Sequence, residues 1–307
     1  MRHIVGHINP DTDTIASAIV YSKLLNKQGI ESKPVRLGEL NKETEYLLNE
    51  LNIKSPELIE KLPENSQVVL VDHNEYSQSI SNIEELDIVG IIDHHKFNTK
   101  TQNPVYIRAE PIGSTCTIIY KLYKEAGIEL EKIDAQLLIS AIISDTLFFR
   151  SPTTTEEDRL IMEELNKIAE YESLEKHSLN MFNAKSDLGN MPVEELIKLD
   201  YKIFNFGGND YGIGFMETTN AQYGINRKDE INQALKEIKK KDNLKGIFFS
   251  IVDILNEENF TLYSGNTEKE LLITLFNATI ENNIANLGNI ISRKKQVVPK
   301  FEQHFNN

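Results

Sequence analysis

The residues of this sequence that could do chemistry collect where apolar runs stop. Ile88-Val89-Gly90-Ile91-Ile92 ends in Asp93-His94-His95. His3-Ile4-Val5-Gly6 leads into His7-Ile8-Asn9-Pro10-Asp11-Thr12-Asp13, Val68-Val69-Leu70-Val71 leads into Asp72-His73, and Asp145 closes an apolar segment that starts at Leu137. Four of the seven histidines (His7, His73, His94 and His95) lie in these clusters, which scattered surface histidines would not do. Massed carboxylates repel one another and stay ionised at neutral pH most readily when cations sit between them. Acids with imidazole and no thiolate suit Mn²⁺, Mg²⁺, Fe²⁺ or Co²⁺ better than a structural zinc. Taken singly, Asp11 and Asp13 read as turn and cap residues, and His73 or His95 as a hydrogen-bonded histidine near the core. Four clusters converging on one edge of one sheet read instead as a two-metal site, and spacing alone leaves open which residue bridges.

The elements that must position these groups follow from the pattern. A short apolar run ending in an acid is a buried parallel strand delivering ligands from its carboxyl end, where open α/β sheets hold their chemistry. From Thr14 to near Gly29 the pattern is helical, with Ile15, Ile19, Leu24 and Leu25 on the buried stripe and Asp13 or Thr14 as cap. Strands and helices then alternate, with an edge strand over 105–108 and helices over 114–126, 132–144 and 155–170, which predicts a doubly wound, mainly parallel α/β domain. Residues 183–192 read as a linker or hinge. Beyond them, strands over 202–206, 212–217, 246–252 and 261–263 and helices over 227–239 and 269–275 make a smaller α/β domain. The expected boundaries are 1–184, a linker over 185–191, and 192–307. The second domain carries Ser292-Arg293-Lys294-Lys295-Gln296, bounded by Ile290-Ile291 and Val297-Val298. Those apolar flanks favour a packed element over a solvated tail, and Gly207-Gly208 reads as a hairpin turn rather than a phosphate nest.

Composition narrows the class. The chain has 307 residues, enough for two domains each with its own core, and is 40% hydrophobic. A formal charge of −14 argues against a nucleic-acid or anionic-membrane partner. The single cysteine, Cys116, rules out an internal disulfide and suits a reducing cytoplasm. No membrane-spanning stretch or leader is expected. A Walker A sequence, a dinucleotide fingerprint and a serine nucleophile elbow are all missing. Metals beside a basic cluster point to phosphoryl chemistry.

Taken in order, these motifs resemble a known family. They are His7 to Asp13, Val71-Asp72-His73-Asn74-Glu75, Asp93-His94-His95, Ala109-Glu110-Pro111-Ile112-Gly113-Ser114-Thr115, Ser140-Ala141-Ile142-Ile143-Ser144-Asp145-Thr146 and the terminal Ser292 to Gln296. The chain is similar throughout to the family II, manganese-dependent inorganic pyrophosphatases of the Asp-His-His phosphoesterase group. The resemblance implies a DHH-type N-terminal domain with a dinuclear centre and a DHHA2-type C-terminal domain that closes over it, with the active site in the cleft. It implies two Mn²⁺ per subunit, replaceable by Co²⁺, with Mg²⁺ entering alongside pyrophosphate, and a homodimer joined through the N-terminal domains. Carried over by residue, one metal takes His7, Asp11, Asp72 and Asp145. The other takes Asp13, Asp72, His94 and Asp145, so Asp72 and Asp145 bridge. His95, Lys202, Arg293 and Lys294 bind substrate, His95 doubling as proton donor near the leaving group, and a hydroxide held between the metals attacks phosphorus. Near the hinge the sequence departs from the family, whose lysine is expected two residues before Lys185. The alternatives are a short-chain exopolyphosphatase, a nanoRNA or cyclic-dinucleotide phosphodiesterase (whose glycine-rich histidine motif is missing), and a noncatalytic metal- or phosphate-binding module. The stretch from Asp93 to Asp145 has no room for the inserted nucleotide-binding domains of regulated members, so a compact, unregulated form is expected.

Overall fold

A computed structural model describes residues 1–186 and 188–305, except for the side chain of Lys294. Asp187, in the expected linker, and the Lys294 side chain, an expected substrate ligand, lie outside the described residues. The chain divides into two compact units, Met1–Lys185 and Ser186–Asn307.

The first unit contains strands β1 (Arg2–Val5), β2 (Ser32–Arg36), β3 (Glu57–Leu58), β4 (Gln67–Val71), β5 (Asp87–Asp93) and β6 (Tyr106–Ala109). Its helices are α1 (Thr12–Lys27), α2 (Lys42–Glu50), α3 (Thr115–Ala126), α4 (Lys132–Thr146), α5 (Glu156–Ala169) and α6 (Leu174–Ser186). All six strands are parallel, in the order β3-β2-β1-β4-β5-β6. The strand order reverses between β1 and β4, and a doubly wound sheet opens its ligand crevice at that switch point. Val5, Val35, Val68, Leu70, Ile88 and Ile91 share one core. Ile88 and Ile91 are three apart, yet both face it because the β4–β5 register slips between Val68 and Val69. Ile4, Val69, Val71 and Ile92 are buried as well, so both faces of the sheet are covered.

Three expectations need correction. Helix α1 begins at Thr12 and its cap is Asp11, not Asp13 or Thr14. Asp145 comes from the last turn of α4 rather than from the edge of the sheet, so one of the four clusters is delivered by a helix. Helix α6 continues through Ser186, so Lys185 and Ser186 are helical where a linker was expected. The polar residues that suggested a break there are compatible with a helix end.

The second unit contains β7 (Tyr201–Phe206), β8 (Asn209–Thr218), β9 (Gly246–Asp253), β10 (Glu258–Tyr263), β11 (Thr279–Glu281) and β12 (Ile284–Asn286). They form a mixed sheet in the order β11-β12-β10-β9-β8-β7, in which only the β8–β9 pair is parallel. Helices α7 (Val193–Lys198), α8 (Ala221–Asn226), α9 (Lys228–Lys241), α10 (Asn266–Phe276) and α11 (Val298–Phe305) accompany it. Alternation along β9 sends Phe248 and Val252 to one core and Ile247, Phe249 and Ile251 to the other. Phe301 of α11 packs against Phe206 and Phe248 and fastens the chain's last helix. Gly207 and Gly208 both take positive φ in the β7–β8 hairpin, as expected of that turn. Among the described residues no helix is long and apolar enough to cross a membrane.

Candidate functional site

Just past β1, a Cβ on Gly6 would lie 2.1 Å from Thr14 Cγ2, so only glycine lets the chain pass α1 and present His7. Asp11 caps α1 with Oδ1, which accepts from Thr14 N at 2.9 Å, and turns Oδ2 toward His7 Nε2 at 3.4 Å. In the first turn Asp13 is wholly buried against the start of α3. It accepts from Ser114 Oγ (2.8 Å), Thr115 N (2.7 Å) and Cys116 N (3.0 Å), so a helix N-terminus holds this carboxylate.

Asp72, directly after β4, has φ +61°. The left-handed region disfavours a residue with a Cβ by roughly 1–2 kcal/mol. Hydroxyls from the starts of α1 and α3 hold it there. Asp72 Oδ2 accepts from Thr14 Oγ1 at 2.7 Å and faces His7 Nε2 at 3.5 Å. Oδ1 accepts from Thr115 Oγ1 at 3.0 Å and faces His94 Nε2 at 3.4 Å. One carboxylate thus addresses two imidazoles from its two oxygens.

His94 Nδ1 lies 2.8 Å from Ile112 O. A carbonyl only accepts, so Nδ1 carries a proton, and it is Nε2 that would give up its own to offer a lone pair to a cation. That Nε2 is buried with no hydrogen-bond partner among the described residues, 3.6 Å from Asp145 Oδ2. An orphaned donor atom facing carboxylates is what a cation site requires. His95 is held differently: Asp93 Oδ1 accepts from its backbone N at 3.1 Å and lies 2.9 Å from its Nδ1. Asn74 Nδ2 donates to Asp93 Oδ2 (2.6 Å) and Lys96 O (3.1 Å), while its Oδ1 accepts from Asn98 N (2.7 Å), which fastens the whole His94–His95 loop. His73 spends both ring nitrogens, on Val71 O at 2.9 Å and Ser79 Oγ at 3.0 Å, and is a core histidine.

Among the described residues, three sets of groups offer ligand atoms within 4.8 Å of one another: His7, Asp11 and Asp72; Asp13, Asp72, His94 and Asp145; and Asp72, His94 and His95. Asp72 is common to all three, whereas Asp145 joins the second alone. Charge is arranged to match. Burial lowers the His7 pKa, but the Asp11 and Asp72 carboxylates outweigh it and raise it to about 10. Burial likewise lowers His94, and Asp72 and Asp13 raise it to about 9. Burial raises Asp72, yet His7 and His94 hold it well below the usual carboxylate range. Burial and then the Asp72 charge raise Asp13 to about 6, and burial with the charges of Asp13, Asp11 and Asp72 pushes Asp145 well up. The cluster gathers positive charge from protons, and divalent cations would take their place. Beside it opens a cavity of about 420 Å³ walled by His7, Asn9, Asp72, Asn74, Glu75, Gln78, His95 and Lys96, among others.

In the second unit, Lys202 on β7 is exposed and pairs across to Ile213. Arg293 Nη1 donates to Asp200 O at 2.7 Å and Ile213 O at 3.4 Å, and Nη2 to Asp200 Oδ1 at 2.6 Å. Arg293 and Lys202 are therefore both brought beside the start of β7 and Ile213 of β8. Arg293 opens a wide turn, Arg293–Val297, fixed by Gln296 Oε1, which accepts from Ile291 N (3.0 Å) and Ser292 N (2.8 Å).

The DHH family N-terminal domain matches residues 3–142 and the DHHA2 domain residues 179–304. A Deinococcus radiodurans protein named probable manganese-dependent inorganic pyrophosphatase is 49% identical over 310 residues, covering 99% of each chain. The manganese-dependent inorganic pyrophosphatase of Bacillus subtilis is 45% identical over 298 residues, covering 96% of each. The solved structure of a Methanococcus jannaschii chain assigned to the family II inorganic pyrophosphatases covers 100% of both chains at 41% identity, with a TM-score of 0.65. The chain belongs to the family II, manganese-dependent inorganic pyrophosphatases.

Within this family architecture, the structure brings His7, Asp11, Asp13, Asp72, His94, His95 and Asp145 to one place in the first unit, and Lys202 and Arg293 to another in the second. Sequence reasoning did not assign Asn74, Ser114 and Thr115, which hold the acidic residues from behind, or Asp200, which holds Arg293. Three of the four lay inside quoted motifs, and Asp200 lay in the stretch that leads into Lys202. That company was the available signal, but nothing in the residue types said which partner each would meet.

Proposed function

We propose that the chain hydrolyses inorganic pyrophosphate to two phosphates. Two Mn²⁺ would be held by His7, Asp11, Asp72 and Asp145 and by Asp13, Asp72, His94 and Asp145, with Co²⁺ able to replace them. The observation that carries this reading is Asp72, whose two oxygens face different imidazoles at 3.5 and 3.4 Å. The buried, unpartnered Nε2 of His94 and an all-oxygen-and-nitrogen donor set fit such cations. When bound, divalent cations lower the pKa of water and neutralise phosphate oxygens.

The chain's own residues supply the rest. His95 has its pKa raised by the Asp93 contact, so its ring holds a proton more readily than a free imidazole and can give it to the leaving phosphate. Lys202, Arg293 and Lys294 offset charge on the oxygens of pyrophosphate, which arrives with Mg²⁺. Asp200 fixes the plane of the Arg293 guanidinium, so its remaining N–H groups are already oriented.

Two domains joined by a hinge after α6 belong to the same reading, as does a homodimer formed through the N-terminal domains. An open edge supports the dimer: among the described residues β6 pairs only with β5, and its Tyr106 and Ile107 are 51% and 45% exposed. The lone buried cysteine supports a cytoplasmic setting. Initial rates on pyrophosphate, tripolyphosphate and a dinucleotide, with Mn²⁺ and Mg²⁺ present, test the function. Pyrophosphate should be turned over fastest by a wide margin. Preference for tripolyphosphate or the dinucleotide would reassign the activity within the phosphoesterases.

A further inference from the structure

An acid in the first turn of a helix ordinarily stands in solvent, where it complements the exposed N–H groups. Glu43 occupies that position in α2 and is 0% exposed. Its Oε2 accepts from Thr12 Oγ1 at 3.0 Å and from Ser144 Oγ at 2.6 Å, reaching 31 residues back and 101 residues forward along the chain. Both donors adjoin acids of the metal cluster: Thr12 stands between Asp11 and Asp13, and Ser144 immediately precedes Asp145. Thr44 Oγ1, 3.1 Å from Thr12 Oγ1, strengthens the same junction. The other oxygen, Oε1, is buried and has no hydrogen-bond partner among the described residues. Lys185 Nζ lies 3.5 Å from Oε2 and is its only ion-pair partner among the described residues. Lys185 sits at the end of α6, the last element of the first unit.

A buried carboxylate with one oxygen unsatisfied is poor material for stability alone, because an apolar residue would avoid the desolvation. Its reach explains it better. The start of α1 and the end of α4 bring ligands to the cluster from distant parts of the chain, and Glu43 is the group through which hydroxyls from both segments meet. We propose that Glu43 is a positioning residue that sets the separation between the Asp11–Asp13 segment and Asp145, and hence the spacing of the metal pair. Lys185 is the counter-charge through which the end of α6 bears on that spacing. The inference rests on the two-metal reading above. Glu43 touches neither substrate nor cation and acts through Thr12 and Ser144.

The test compares the wild type with Glu43→Gln, Lys185→Met, Ser144→Ala and the Glu43→Gln/Lys185→Met pair. Bound Mn²⁺ per chain is measured by equilibrium dialysis, the exchange coupling of the manganese pair by electron paramagnetic resonance, and Tm on metal-free protein, beside kcat and KM. Glu43→Gln should weaken the second Mn²⁺ and lower kcat, each by roughly 10–100-fold, as removal of outer-shell partners does. KM and the metal-free Tm should stay near wild type while the coupling changes. Lys185→Met and Ser144→Ala should shift the same quantities less. The double variant should be no worse than Glu43→Gln, because Lys185 acts only through Glu43. Unchanged metal affinity and coupling in Glu43→Gln, or a change confined to Tm, would overturn the proposal. If Glu43→Gln fails to fold, Lys185→Met and Ser144→Ala decide, and wild-type metal binding in both overturns it. A wild type that binds one ion defeats the two-metal reading as well, whereas two ions in the wild type and unaltered variants defeat only the role of Glu43.

Discussion

Asp72 shows what a single residue contributes. Its left-handed backbone at φ +61° turns the carboxylate between His7 and His94, and two threonine hydroxyls fix both oxygens. Asp72→Asn keeps the shape but removes the charge that balances two cations. Bound Mn²⁺ and kcat should therefore fall together, kcat by more than about 10³-fold on the scale of lost electrostatic stabilisation. Arg293→Ala should leave Mn²⁺ content intact and lower kcat/KM by roughly 10²–10³-fold, since it removes charge compensation alone. Elemental analysis beside steady-state kinetics separates the two. Metal loss in the arginine variant, or near-normal kinetics, would contradict its role, because a merely solvated charge contributes little. The acids and imidazoles were legible in sequence because each ends an apolar run. The Asn74–Asp93 bond was not, because it joins two strand ends 19 residues apart whose register no local pattern states.

At the scale of elements, the loop before α3 is a close fit. Gly113 N donates to Asp158 Oδ2 at 2.9 Å, and a Cβ there would lie 2.7 Å from that oxygen and from Thr146 Cγ2. Gly113→Ala should cost about 1–3 kcal/mol by overpacking. It should also displace the Ile112 carbonyl that orients His94, so Tm and Mn²⁺ affinity both drop. A lower Tm with unchanged Mn²⁺ affinity would break that link. Helix α6 offers a pH test. His177 Nε2 lies 2.8 Å from Ser140 Oγ on α4, and its ring stacks on Tyr171. Burial lowers its pKa to about 4. The folded state keeps His177 neutral while the unfolded chain takes up a proton below about pH 6.5. This contribution to stability is therefore complete above pH 6.5 and is lost as pH falls toward 4, a change on the order of 3 kcal/mol. In metal-free protein, urea unfolding at pH 7 and pH 5 should show a smaller acid loss for His177→Gln than for wild type, and equal losses would refute this assignment. The strands and long helices were readable from period. The start of α1 and the end of α6 were not, because capping by Asp11 and packing of the last turn decide them. Strands β11 and β12, three residues each, are too short to carry a period.

For the whole molecule, the alternation of strands and helices identified the doubly wound first sheet, and its strand order places the switch point beside His7 and Asp72. The mixed second sheet was only partly legible, since its pairing depends on partners far apart in sequence. Assembly is tested at the β6 edge. Sedimentation of the manganese-loaded protein should show a dimer, and Ile107→Lys should shift it toward monomer; a monomeric wild type would end that proposal. The central claim is that two cations, bridged by Asp72, are needed for pyrophosphate hydrolysis. It is tested most directly by stripping the protein with chelator, restoring Mn²⁺ in measured steps, and recording phosphate release from pyrophosphate against bound Mn²⁺ per chain. Activity should remain near background through the first equivalent, rise with the second and level at two. Full activity at one bound ion per chain would contradict it.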